Sequence, residues 1–168
     1  PEITGKLLGQ RGETLATAES CTGGLISELI TSIPGSSEYF MGGAVTYSNN
    51  IKQRILDVPN DMLRLHGAVS EPVARAMAAG ARARFETTYA LAVTGIAGPG
   101  GSTSDKPVGL VYIALAHPNG IDAYEYRFGE DSPRDVIRTR AALSALNLLR
   151  LKLVRHLDDP AGCDRLGG

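Results

Sequence analysis

The segment Thr17-Ala-Glu-Ser-Cys-Thr-Gly-Gly24 gathers a serine, a thiol, a carboxylate and two glycines into eight residues. Leu15 to Ala18 is a largely apolar stretch, and Leu25 to Ile33 is amphipathic with a helical period. The segment therefore reads as a strand, a tight turn and a helix start. Ser20 in such a turn lies beside free backbone N–H groups at a helix N-terminus, which can hold an anion or an oxyanion. The turn suits either a nucleophile or a phosphate ligand.

A serine nucleophile needs a base, usually histidine. The histidines are His66, His117 and His156, and none falls in a turn of this kind. A Ser-His-Asp triad is not expected. Lysine replaces histidine in Ser-Lys hydrolases when burial or nearby cations lower its pKa. Of Lys6, Lys52, Lys106 and Lys152, Lys52 stands out. It lies five residues after Tyr47, on the first turn of a short helix facing the same edge, where the helix N-terminus disfavours an ammonium. Tyr47, at a strand end, can relay a proton or orient the pair. The competing reading of Lys52 is a solvated surface lysine.

Cys21 is a rival nucleophile, because a helix N-terminus acidifies a thiol. The preferred reading is a small buried residue supporting the turn. Glu19 can be a general base, a ligand for ribose hydroxyls or a helix-capping carboxylate. The second chemical segment, Thr94-Gly-Ile-Ala-Gly-Pro-Gly-Gly101, resembles an anion cradle in which successive N–H groups face a phosphate. It is neither a Walker A loop nor a dinucleotide fingerprint, because the spacing differs and no Gly-Lys-[Ser/Thr] follows. Arg134 and Arg138, near the start of the last helix, can supply charge to a phosphate or carboxylate.

The elements that must position these groups alternate. Helices are expected over Ile3–Gln10, Gly24–Ile33, Asn49–Leu56, Asn60–Leu65, and Ser70–Phe85 with Ser70 as cap. A last helix starts at Ser132-Pro133 and runs to about His156, with Val136, Leu143, Leu146 and Leu153 on its buried stripe. Strands are expected over Thr14–Ala18, Phe40–Tyr47, Thr88–Val93, Val108–Ala116 and Ile121–Phe128. The run Val108–Ala116 is the candidate central strand. Pro118-Asn119-Gly120 turns the last strand back antiparallel, with Tyr124, Tyr126 and Phe128 on its buried face. The expectation is one α/β domain over 1–157, a three-layer α/β/α sandwich with a mixed, mostly parallel sheet. Residues 158–168 have no periodicity and are expected to be disordered. In such sheets ligands bind outside the strand C-terminal ends. Ser20–Gly24, Tyr47–Asn50 and Thr94–Gly101 would meet there if their strands run parallel.

Bulk properties narrow the classes. The 168 residues are 43% hydrophobic and 21% charged, with net charge −1 and no dense run among the 17 lysines and arginines. Nucleic-acid binding is disfavoured. No segment approaches the ~18 consecutive apolar residues of a membrane span. The opening Pro-Glu-Ile-Thr is not a secretory signal and reads as a processed start. Cys21 and Cys163 form neither a zinc pattern nor a disulfide framework, so a reducing cytoplasm is expected, with no metal and no cofactor.

Four segments, Ala18-Glu-Ser-Cys-Thr-Gly-Gly24, Val45-Thr-Tyr-Ser-Asn49 leading to Lys52, Thr94–Gly101 and Lys106-Pro-Val-Gly109, resemble those of the CinA C-terminal domain family. The resemblance runs in order from about residue 3 to 155. It implies a three-layer α/β/α fold, a homo-oligomer (a dimer or higher), and relatives that hydrolyse the amide of nicotinamide mononucleotide to nicotinate mononucleotide and ammonia without metal. It implies Ser20 as nucleophile, with Lys52 and Tyr47 as activating partners. Turn residues Cys21, Thr22, Gly23 and Gly24 would support the oxyanion. Thr94, Gly95, Ala97, Gly98, Gly100 and Gly101 would contact the nucleotide, together with Arg138 and Glu19. The sequence departs from the family after Phe128, where Gly-Glu-Asp-Ser-Pro-Arg is slightly longer than usual. Arg138 is thereby easier to place than Arg134. The N-terminal domain that many family chains carry has no counterpart in these motifs, and a chain without it is the expectation. The alternative is a non-catalytic nucleotide-binding or regulatory module, and a third reading is a Cys21-dependent amidase.

Overall fold

The computed structural model describes residues 1–158. Along the chain come α1 (Glu2–Arg11), β1 (Leu15–Glu19), α2 (Leu25–Thr31), a short 3-10 turn, β2 (Phe40–Val45), α3 (Asn49–Leu56), α4 (Asn60–His66), α5 (Glu71–Arg84), β3 (Tyr89–Gly95), β4 (Leu110–His117), β5 (Gly120–Arg127) and α6 (Arg134–Asp158). One five-stranded sheet has the order β2-β1-β3-β4-β5. Strand β1 pairs in parallel with β2 and β3, whereas β4 pairs antiparallel with β3 and with β5.

The sheet is mixed, and it is not mostly parallel. Two of its pairings are parallel and two are antiparallel. The reason lies between Gly95 and Leu110, where no helix intervenes. A parallel return needs a crossover of a dozen or more residues, usually a helix. A loop without one brings β4 back antiparallel. The run that looked central is an interior strand, and β3 occupies the middle of the sheet.

Helices cover both faces. Leu8, Ile26, Ile137, Ala141, Ala145 and Leu149 from α1, α2 and α6 join Leu15, Leu91, Ile113 and Leu115 in one core. On the other face Leu56, Leu63, Val73, Met77 and Ala81 from α3, α4 and α5 close over Ala16, Ala18, Ala90, Ala92 and Ala114. The period-two alternation of β1, β3 and β4 sends successive side chains to opposite cores. Small residues line the second face, so α5 packs close to the sheet. At Gly80 of α5 a Cβ would collide with the Leu56 carbonyl at the end of α3. A glycine there lets α3 lie directly against α5 and fixes the helix that carries Lys52.

Several local expectations change. The buried stripe of α6 is Ile137, Ala141, Ala142, Ala145, Leu146, Leu149 and Leu153, while Leu143 is 48% exposed. Alanines, carrying little hydrophobic signal of their own, form much of that face. Tyr124 on β5 is 47% exposed, because β5 is an edge strand and its outer side lacks a neighbour. Tyr126 and Phe128 stack with ring centroids 5.6 Å apart. Ser70 is the N-cap residue of α5, but its hydroxyl donates to the Gly67 carbonyl instead of accepting from the helix. Asp158 closes α6, and the remaining tail lies outside the described residues.

Candidate active site

Register assembles the site. Glu19 of β1 is level with Val45 of β2 and with Val93 of β3. The next residues, Ser20, Thr46 and Thr94, therefore stand at the same height, Ser20 and Thr46 just past the ends of their strands and Thr94 one residue before the end of β3. Ser20 N–H donates to the Val93 carbonyl (3.0 Å), and Thr46 N–H donates to the Glu19 carbonyl (2.8 Å). The three polar turns expected to meet do meet, around a cleft of about 230 Å³.

Ser20 and Lys52 share the cleft. Helix α3 starts at its cap Ser48, whose hydroxyl accepts from Ile51 N–H. Its helical period then turns Lys52 and Leu56, four residues apart, to the buried side. Lys52 is 1% exposed. Its Nζ lies 3.1 Å from Ser20 Oγ, 2.7 Å from the Thr46 carbonyl and 3.5 Å from the Tyr47 carbonyl. Burial pulls its pKa down from 10.5 to about 8. Lys52 is not a solvated surface lysine. About a tenth of it is then neutral at pH 7, far more than for a free lysine, and a neutral amine can accept a proton from Ser20.

Cys21 also lines the cleft, but burial pushes its thiol up to about 12. The helix that would acidify it begins only after Gly24, and Glu19 occupies the start of that helix. Fully buried, Glu19 accepts from Gly24 N–H (2.9 Å), Ile26 N–H (3.1 Å), Ser27 N–H (2.9 Å) and Ser27 Oγ (2.8 Å). The carboxylate caps α2 and does not line the cleft. Those bonds also consume the N–H of Gly24, while Gly23 N–H donates to the Ser20 carbonyl. Within the turn, the N–H groups of Cys21 and Thr22 give no hydrogen bond to an oxygen among the described residues, and of the two residues Cys21 lines the cleft.

Thr94, Gly95, Ala97, Gly98, Gly100 and Gly101 line the opposite wall with Ile96, and the Thr94 hydroxyl donates to the Ala68 carbonyl. At the mouth the structure places Arg134, whose Nη1 donates to the Gly98 carbonyl (2.6 Å) and whose Nη2 donates to the Tyr47 hydroxyl (3.1 Å). Arg138 instead donates to the Thr22 carbonyl (2.7 Å) from behind the Ser20 turn, outside the cleft lining. Tyr47 is 62% exposed. Its carbonyl faces Lys52, and its hydroxyl meets Arg134. The lining carries two cations, Lys52 and Arg134, and no carboxylate among the described residues. That balance favours an anionic ligand.

Sequence reasoning missed Ala68 and Val69, which form a third wall between α4 and α5. Nothing in Gly67-Ala-Val-Ser70 marks chemistry, because its part is played by backbone and small side chains. His117 sits at the end of β4 opposite the cleft, 3.1 Å from Lys152 Nζ and 3.4 Å from Asp122. Among the described residues no group of three or more His, Cys, Asp or Glu side chains is placed to hold a metal ion, and no helix is long and apolar enough to cross a membrane.

Residues 1–153 match the family model of the CinA C-terminal domain. A CinA-like protein of a Cyanothece strain is 55% identical over 152 residues, which cover 90% of this chain and 36% of that protein. One from an Anaeromyxobacter strain is 52% identical, covering 91% and 37%. The chain thus spans about a third of the length of these relatives. Among solved structures, the competence/damage inducible protein CihA from Agrobacterium tumefaciens superposes with a TM-score of 0.84 at 42% identity, over 91% of this chain and 96% of that one. A CinA superfamily protein from Klebsiella pneumoniae gives 0.86 at 30% identity, over 92% and 97%.

Proposed function

The chain belongs to the CinA C-terminal domain family, and from that premise we propose that it is a Ser-Lys amidohydrolase acting on nicotinamide mononucleotide. One observation carries the reading: a buried lysine with a lowered pKa stands within hydrogen-bond reach of a serine on the floor of a cleft. A module that only binds nucleotides would have no use for burying an amine at that cost.

The chemistry follows from the geometry. Neutral Lys52 takes the Ser20 hydroxyl proton as Oγ attacks the carboxamide carbon. The carbonyl oxygen becomes an oxyanion against the N–H groups of Cys21 and Thr22; one such donor is worth ~3 kcal/mol in other hydrolases. The intermediate collapses, the C–N bond breaks, and the Lys52 ammonium returns its proton to the departing amine, which leaves as ammonia. Water then adds to the acyl-enzyme with Lys52 again as base, and nicotinate mononucleotide leaves with Ser20 restored. The Thr46 carbonyl holds Nζ toward Oγ throughout, and the Tyr47 carbonyl supports it from the rim. The 5′-phosphate belongs against Gly98–Gly101, with Arg134 as its counter-charge.

Purified protein given nicotinamide mononucleotide should release ammonia and nicotinate mononucleotide in equal amounts. Calorimetric binding with no release would fit the non-catalytic module instead.

A further inference from the structure

The Ser-Lys chemistry makes no use of the Lys106-Pro-Val-Gly109 segment. Lys106 Nζ reaches out of the glycine-rich loop and donates to the His66 carbonyl at 2.6 Å. His66 is the last residue of α4, where carbonyls lack helical partners and a cation is favourable. Two more side chains hold the next two carbonyls: Ser70 Oγ donates to Gly67 (2.9 Å) and Thr94 Oγ1 to Ala68 (2.8 Å). The α4–α5 connector is thus pinned carbonyl by carbonyl, and its Ala68 and Val69 face the cleft. Gly67 has φ 72°, and a Cβ there would stand 3.1 Å from Lys106 Nζ. Any other residue at 67 would crowd the ammonium and strain the backbone.

The loop end of this link is also anchored. Lys106 and Thr103 exchange backbone hydrogen bonds (2.9 and 3.3 Å), and Gly109 N–H donates to the Ile96 carbonyl (2.8 Å) at the loop base. From that anchored loop Lys106 ties the wall formed by Gly98, Gly100 and Gly101 to the wall formed by Ala68 and Val69.

We propose that Lys106 is a positioning residue that fixes the separation of these two walls, and so sets how well the mononucleotide fits above Ser20. The proposal rests on the amidohydrolase reading for its substrate, though not for its mechanics. Lys106 touches no reacting atom, so its loss should weaken binding more than chemistry. Lys106→Met should raise KM for nicotinamide mononucleotide about five- to tenfold and leave kcat within about twofold. Amide hydrogen exchange in residues 66–69 should accelerate, and Lys106→Arg, which keeps a cationic donor, should restore both readouts. Unchanged KM and unchanged exchange in Lys106→Met would overturn the proposal. So would a fall in kcat with KM constant. If the wild-type protein does not turn over the mononucleotide, the functional reading fails by itself. Exchange at 66–69 then decides the latch: faster in Lys106→Met supports it, and unchanged overturns it.

Discussion

Lys52 Nζ lies 3.1 Å from Ser20 Oγ although the two residues are 32 positions apart and leave the sheet from different strands. Parallel pairing of β1 with β2, in a register that sets Glu19 level with Val45, places the Ser20 turn beside the turn that starts α3. One helical turn later Lys52 points inward. Its burial does two things together: it aims the amine and makes it easier to deprotonate.

The pH profile follows from that second effect. Lys52 must be neutral to accept the Ser20 proton, and burial brings its pKa down to about 8. The rate constant kcat/KM should rise with pH through about 8 and then level off. The Cys21 thiol, pushed up to about 12, contributes no step in that range. A profile flat from pH 6 to 10 would remove Lys52 as the base.

The same burial costs stability. Below about pH 8 the native state carries a buried ammonium; between about 8 and 10.5 it has lost the proton that the unfolded chain still holds, so this group adds stability as pH rises. Lys52→Met should therefore be inactive yet more stable than wild type by roughly 1–2 kcal/mol at pH 7, the lost donor to the Thr46 carbonyl trimming the gain. Denaturant melts at several pH values should show the difference shrinking between about pH 8 and 10.5. A Met variant less stable at pH 7 would mean that Lys52 is not an electrostatic burden.

Glu19 supplies a prediction about the scaffold. Its carboxylate accepts four hydrogen bonds at the start of α2, and Glu19→Gln would turn an amide NH₂ toward N–H donors. The variant should lose roughly 2–3 kcal/mol in chemical denaturation. Nucleotide binding by the folded fraction should persist. Full stability with lost binding would instead make Glu19 a ligand residue.

How far the sequence shows all this depends on the range of each interaction. The bounds of α3 were legible because Ser48, Asn49 and the apolar spacing to Leu56 are local signals. The meeting of the three turns was legible because parallel strands align their C-terminal ends. Sequence reading preferred Arg138 to Arg134, whereas the structure sets Arg134 at the cleft, because the choice depends on Gly98 and Thr22, which are distant in the chain. Glu19 was left between three roles, since its four donors come from a turn whose shape is set by the fold. The antiparallel β4 was readable from the missing helix after Gly95, yet its apolar run resembled that of a central parallel strand. Tyr47 marked the right turn, although its backbone carbonyl, which has no sequence signature, is the atom that meets Lys52.

The central claim is that Ser20 is the nucleophile, and ammonia release by Ser20→Ala from nicotinamide mononucleotide tests it most directly. The account predicts a fall in kcat of at least ~10³-fold, with the melting curve and mononucleotide affinity close to wild type. Turnover near the wild-type rate in Ser20→Ala would contradict it.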